Sequence, residues 1–355
     1  MPSAWSHFRG GPSHAGSAPD AQAIQDPRLA WSFDTGGTVE SSPAVVDGNL
    51  YCGTFDGHLF ALDATTGAER WRFPVGGKLL RASPAVVDGR VFFGADDERF
   101  YCVDAATGNQ VWALDLEPGG QQSSPAIEDG NVYFGSFDRK VYCVAADTGD
   151  VRWTFPTEGA ILSSPGLTDD LVVIGSQDGT VYALEKETGA QRWSFTTGAT
   201  VWSSPAYALG SVFVGSDDRH VYALDPKTGA ERWRFATGGT VFSSPAVSVT
   251  DGILYVGSDD QHLYALACED GRELWKADLK GRVLGSPAIV QDLLYVGGEG
   301  SGGDEPGALF AIDRTSGAVR WRFEVGATLW SSPIAVGTSV YFGAHDGLLR
   351  CLVED

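Results

Sequence analysis

The sequence predicts an all-β fold, a ring of eight four-stranded antiparallel blades, on the strength of three observations. A unit of roughly 41 residues recurs along the 355-residue chain, the signature of an architecture in which no unit buries its apolar face alone. A Trp recurs at Trp31, Trp71, Trp112, Trp153, Trp193, Trp233, Trp275 and Trp321, all but the first just after a Thr-Gly-type turn. Each unit also carries a Ser-Pro pair, with prolines at Pro43, Pro84, Pro125, Pro165, Pro205, Pro245, Pro287 and Pro333. The two series are out of step. The first Trp precedes the first Ser-Pro, and the last Ser-Pro unit reaches Asp355 without a Trp of its own. A β-propeller whose last blade takes one strand from the N-terminal side and three from the C-terminal side explains the offset.

In chain order, residues 1–28 read as an N-terminal extension packing on the propeller. Residues 29–355 read as one propeller, with 29–34 as the outer strand of the last blade, beside Leu348–Val353. Within a unit such as Ser203–Phe235, four short runs rich in β-branched and aromatic residues lie between Gly-containing turns, which is the pattern of a four-stranded meander. Proline lacks an N–H and tolerates a sheet only at an edge or a strand start, so the Ser-Pro strand is an edge. Its small residues place that edge at the axis, where wedge-shaped blades converge. The opposite edge carries Trp and Arg, expected to fill the wider gaps at the rim. Each Trp can bury roughly 150–250 Å² there.

Charge and composition narrow the function classes. The 46 acids and 25 bases leave a net charge of −21, a surface that repels nucleic acid and anionic lipid. No apolar run approaches a membrane span. The start of the chain lacks a basic n-region and an apolar h-region, so the protein as given is expected in the cytoplasm, or in the periplasm or at the cell surface if the chain is trimmed. A monomer is expected. Cys102, Cys143 and Cys351 share one repeat position with alanines, and Cys52 takes the place of an apolar residue, so these four read as small buried hydrophobes. Cys268, in a turn, is the one expected to be exposed. No cysteine pair has metal spacing and no disulfide framework is expected.

The segments Ala61–Trp71 (A-L-D-A-T-T-G-A-E-R-W) and Ala223–Trp233 (A-L-D-P-K-T-G-A-E-R-W) resemble the tryptophan-docking motif of pyrroloquinoline-quinone (PQQ) propellers. With the Ser-Ser-Pro strands the resemblance covers residues 29–355, and Trp5–Gly16 is similar to the opening of PQQ-like repeat proteins. Ala145, Ala267 and Asp270 depart from the motif. Two branches of that superfamily frame the function. Quinoprotein alcohol dehydrogenases carry calcium ligands, a catalytic Asp and vicinal cysteines; this chain has no Cys-Cys pair. The other branch is the propeller lipoprotein of the Bam complex, whose lipobox Cys has no counterpart here before Cys52. The resemblance implies a non-enzymatic, binding type of PQQ-like propeller with no cofactor. The competing readings are an oxidoreductase using PQQ with calcium or a metal at the same channel mouth, and a purely structural surface repeat protein.

In a repeat protein, particular function sits in the residues that do not repeat. The position two before Ser-Pro holds Glu40, Arg81, Gln122, Leu162, Trp202, Phe242, Leu284 and Trp330. Three charged or polar residues are followed by five apolar ones. Such a ring suits a ligand with an apolar body and a polar end, or the aromatic anchors of a peptide; alternatively these side chains pack between blades and plug the channel. Glu40 and Arg81, on neighbouring blades, read as an ion pair or as a carboxylate held for catalysis. Glu299, Asp304 and Glu305, in the Gly-rich interruption Gly297–Gly307 of the seventh unit, read as a solvated loop or as a flap over the mouth, with cation binding as a further option. The turn series Asp56, Asp97, Asp138, Asp178, Asp218, Asp260 and Asp346 reads as turn capping rather than calcium ligation. His58, His220 and His262 read as surface strand residues. No metal site and no catalytic residue is assigned.

Overall fold

The computed structural model describes residues 4–76, 80–117, 120, 123–300 and 306–355. The described residues form eight four-stranded sheets, all antiparallel and meandering from an inner to an outer strand. In the first blade these strands are Ala44–Val46, Asn49–Gly53, His58–Asp63 and Glu69–Pro74. The inner strand is short because its first residues, Ser-Pro-Ala, converge on the axis and leave no N–H at proline for a ladder.

The eighth blade is closed as the offset predicts. Strand Pro27–Asp34 pairs with Leu348–Glu354, Trp31 opposite Cys351. A register shift falls between Leu29 and Trp31, as it does between Ala61 and Leu62 in the first blade and at the same place in the others. Two strands from opposite ends of the chain thus reproduce the local geometry of a continuous blade.

Each motif tryptophan joins its blade to the next. The indole Nε1–H of Trp71 donates to the Ala105 carbonyl at 3.1 Å, that of Trp193 to Pro226 at 2.9 Å and that of Trp233 to Cys268 at 2.9 Å. The ring lies over the turn glycine of that neighbour. At Gly229, φ is +72° and a Cβ would sit 2.6 Å from Trp193, so both the left-handed backbone and the close approach require glycine. Trp321 has no such turn ahead of it, because the eighth blade is split at the termini. It donates instead to Ile24 of the N-terminal segment at 2.7 Å.

The axis is closed by a second set of bonds. Each Ser-Pro serine accepts a backbone N–H from the serine of the preceding blade. The series runs from Ser42 N–H to Ser83 Oγ at 2.9 Å, through Ser83, Ser124, Ser164, Ser204, Ser244 and Ser286, and ends with Ser332 N–H to Ser42 Oγ at 2.9 Å. The repeated serine is therefore a clasp for an edge N–H that has no ladder partner.

Beneath the serines, the N-terminal segment runs round the far side of the ring. Its carbonyls accept inner-strand N–H groups: Ser6 from Val86, Pro12 from Leu167, Ser13 from Tyr207, Ala15 from Val247 and Gly16 from Ile289, all at 2.8–2.9 Å. Trp5 pairs in both directions with Val45. Arg9 is fully buried and donates to the carbonyls of Pro287 at 2.5 Å and Pro245 at 3.1 Å. His7 and His14 are buried beside it.

Three expectations need correction. The arginines flanking the motif tryptophans do not fill gaps: Arg70 is half-exposed and reaches back to Asp63 at 2.6 Å, and Arg232 reaches Asp225 at 2.8 Å. Long charged side chains keep their heads in water. Cys268 is buried, because the carbonyl of its turn is the acceptor of Trp233 and the side chain joins the core between the fifth and sixth blades. Burial pushes the thiols of Cys52, Cys102, Cys143 and Cys268 up to about 12, the opposite of nucleophile activation. His58, His220 and His262 are half-buried rather than surface residues; His58 Nδ1 lies 2.9 Å from Asp56, and the other two contact the carbonyls of Asp218 and Asp260.

Candidate ligand site at the channel mouth

Alternation along each inner strand decides what faces the channel. Val39, Leu80, Ile161, Val201, Val241, Val283 and Leu329 are fully buried and pack between blades, Leu80 over Gly53 and Val241 over Gly215. The next residue in each case turns to the axis. The interblade role proposed for the ring residues thus belongs to the residues just before them.

Glu40, Arg81, Leu162, Trp202, Phe242, Leu284 and Trp330 line one cavity of 280 Å³, together with the eight Ser-Pro serines, Arg282 and Phe8. Gln122 lies outside the described residues, as do Asp304 and Glu305. Phe242 and Trp330 keep 36% and 38% of their surface exposed, unusual for aromatics in a closely packed ring. Phe8 reaches this cavity from the N-terminal segment on the far side. The channel is thus occupied from below by that segment, while the ring residues stand above it around open space.

A second circle of non-repeating residues supports the first. It lies two residues after the glycine at the end of the second strand, where a small residue (Ser, Thr, Ala or Gly) intervenes, and comprises Phe55, Asp96, Phe137, Gln177, Asp217, Asp259, Glu299 and His345. Most donate a backbone N–H to the turn that leads into the inner strand of their own blade, as Asp217 does to Thr200 at 2.9 Å and Glu299 to Arg282 at 3.0 Å. Their side chains hold the mouth aromatics. Trp202 Nε1–H donates to Asp217 Oδ2 at 2.8 Å, and its ring lies 5.4 Å from that of Phe242. Trp330 Nε1–H donates to Glu299 Oε1 at 2.5 Å, while Arg282 Nε–H donates to Oε2 at 2.6 Å. Glu299 is therefore a fixed part of the wall, its side chain only 11% exposed, and not part of a flap or a solvated loop. Burial raises the Asp217 carboxyl above the usual range, and the Trp202 bond works against that.

The polar arc has a different character. Arg81 approaches Glu40 only to 3.9 Å, beyond hydrogen-bond distance, and its guanidinium lies over Phe55 at 4.9 Å. His345 Nε2 is 3.2 Å from Glu40 without hydrogen-bond geometry, and its ring packs against Trp330 at 5.2 Å. Burial raises the Glu40 carboxyl, with Arg81 opposing, and lowers the His345 imidazole.

Away from the mouth, the turn aspartates are consumed locally. Asp138 accepts the Lys140 N–H and the Tyr142 hydroxyl, and Asp178, Asp218 and Asp260 repeat this with Tyr182, Tyr222 and Tyr264. Among the described residues no group of three His, Cys, Asp or Glu could hold a metal ion. No helix among them is long and apolar enough to cross a membrane.

Comparison with known proteins bears on the fold. The family described as outer membrane protein assembly factor BamB matches residues 20–157, 138–247 and 217–350. No curated protein matches. The BamB structure from Moraxella catarrhalis is 15% identical at a TM-score of 0.78, over 92% of this chain and 99% of that one. A europium-containing methanol dehydrogenase is 15% identical at a TM-score of 0.84, over 99% of this chain and 98% of that one. The quinohemoprotein alcohol dehydrogenase from Comamonas testosteroni is 15% identical at 0.81, over 99% of this chain and 80% of that one. At such identities the likeness is one of fold.

Proposed function

Because the chain belongs to the family of PQQ-like repeat propellers described as outer membrane protein assembly factor BamB, whose fold serves both assembly factors and dehydrogenases, we propose that it is a non-enzymatic binding propeller. Its mouth takes an amphipathic small molecule or the aromatic anchor of a peptide. The observation that carries this reading is the 280 Å³ cavity, whose walls are the non-repeating residues while the repeating ones close the ring. Apolar walls with a few placed polar groups are the usual make-up of a ligand pocket.

What supports binding over oxidation is the donor set. Among the described residues lining the cavity Glu40 is the one carboxylate, and Glu299 and Asp217 behind them are taken up by Trp330, Arg282 and Trp202, too few free oxygens for a calcium ion that takes six to eight. The five thiols are free and buried, so no cysteine pair covers the cavity. These residues do not fit a quinone–calcium centre. Titration with PQQ and calcium is expected to give no stoichiometric absorbance change and no dye-coupled alcohol oxidation. Either signal, reproduced in wild type and lost in Glu40→Gln, would overturn the non-enzymatic reading.

A further inference from the structure

The charges of the mouth name a ligand class more narrowly than an apolar pocket does. Eightfold order places the first blade across the channel from the fifth and the second across from the sixth. Glu40 therefore faces Trp202, and Arg81 faces Phe242. One side of the cavity offers a carboxylate and a guanidinium side by side; the other offers two aromatic rings 5.4 Å apart, with Leu162 and Leu284 beside them.

The two charges are opposite and adjacent, yet neither satisfies the other. At 3.9 Å no hydrogen bond joins them, and the Arg81 Nε–H is buried without an acceptor. Among the described residues no donor reaches Glu40 in bonding geometry, although its side chain is only 12% exposed. Arg282 makes the contrast: its guanidinium is hydrogen-bonded to Glu299. Below them, each Ser-Pro serine accepts an N–H through Oγ, and its hydroxyl proton remains available to an acceptor in the cavity. Under the floor lies the Arg9 guanidinium, fully buried on two carbonyls. A half-buried carboxylate without a donor and a guanidinium whose Nε–H lacks an acceptor each carry a desolvation cost that a complementary group lowers.

We infer that the mouth binds the zwitterion of an apolar α-amino acid, its ammonium on Glu40, its carboxylate on Arg81 and the serine hydroxyls, and its side chain against the paired rings of Trp202 and Phe242. The inference rests on the binding reading above and adds the chemistry of the ligand. Size agrees: 280 Å³ is just below the roughly 300–1,000 Å³ of common ligand pockets, room for one residue-sized molecule. A peptide terminus supplies one of the two charges, never both.

Calorimetry on the full chain tests this with L-phenylalanine, L-leucine and L-tryptophan, each beside its N-acetyl and carboxamide derivatives, and with glycine. L-Phenylalanine is expected to bind, each blocked derivative at least ten-fold more weakly, and glycine not at all. Glu40→Gln should weaken the free amino acid as much as N-acetylation does and leave the N-acetyl compound unaffected; Arg81→Gln should stand in the same relation to the carboxamide. Equal binding of free and blocked compounds would overturn the inference. So would failure of all three amino acids. If they fail while a capped aromatic peptide binds wild type and not Trp202→Ala, the zwitterion falls and the binding reading stands; if the capped peptide fails too, both fall.

Discussion

Deletion of residues 1–35 is expected to abolish cooperative thermal unfolding or to lower the midpoint far more than loss of a frayed tail would. The deletion removes the strand Pro27–Asp34 that closes the eighth blade. It exposes the partner strand Leu348–Glu354 as a bare edge. It takes away Trp31, 9% exposed and hydrogen-bonded to Ala64, and Ile24, the acceptor of Trp321. The indole of Trp31 alone accounts for about 3–5 kcal/mol by the usual cost of emptying a core site, against a domain stability of about 5–15 kcal/mol. Trp31→Ala is the milder companion and should lower stability by that amount. Calorimetric or denaturant unfolding decides the matter; a deletion variant that melts cooperatively at the wild-type midpoint would contradict the closure.

Mild acid is the second large effect. Burial lowers His7 to about 4, and burial, with Arg9 and His7 nearby, lowers His14 to about 3. In the unfolded chain both titrate near 6.5, so below that pH the unfolded state binds protons that the folded state refuses. Stability is fully present above pH 6.5 and is lost as pH falls toward 4 and then 3. With two groups at about 1.4 kcal/mol per pH unit each, the loss between pH 6.5 and 4 is on the order of 5 kcal/mol. Half-buried carboxyls such as Glu40 and Asp217, raised by burial, act in the opposite sense, because the folded state takes up their protons first as pH falls, and so offset part of this loss. Urea midpoints measured across this range should fall for wild type and flatten for His7→Asn and His14→Asn. A wild-type midpoint unchanged between pH 6.5 and 4 would show these imidazoles to be solvated.

Much of this was legible in the sequence because repetition separates two kinds of residue. Trp, Ser-Pro and turn Gly recur since each blade must dock on the next, and their spacing alone predicts the ring and its closure. The variable position before Ser-Ser-Pro predicts which side chains face the channel. The second circle carried the same signal: the residue two after the glycine of the second strand varies from Phe55 to His345 as strongly as Glu40 varies to Trp330. Its register is obscured at Glu299 by the Gly-rich interruption, which is why that carboxylate reads as part of a loop. Asp217 and Asp259 are not singled out by the sequence, since each stands next to a turn aspartate, Asp218 and Asp260. Beyond its packing and the resemblance of Trp5–Gly16 to the opening of PQQ-like repeat proteins, the path of the N-terminal segment was not legible. Phe8, Arg9 and His14 repeat nowhere, and a segment that meets inner strands through backbone carbonyls leaves no side-chain pattern to read. Pairing of serines between blades also has no sequence sign, since it depends on how closely the inner strands converge.

The division between ring and mouth is the central claim, and one comparison of melting temperatures tests it. Trp233 is 8% exposed and bonded to Cys268 of the next blade; Trp202 and Trp330 stand at the cavity. Trp233→Ala should cost about 3–5 kcal/mol, while Trp202→Ala and Trp330→Ala should melt close to wild type. A loss at Trp202 or Trp330 as large as that at Trp233 would mean that the mouth residues hold the ring together and that the cavity is packing, not a site.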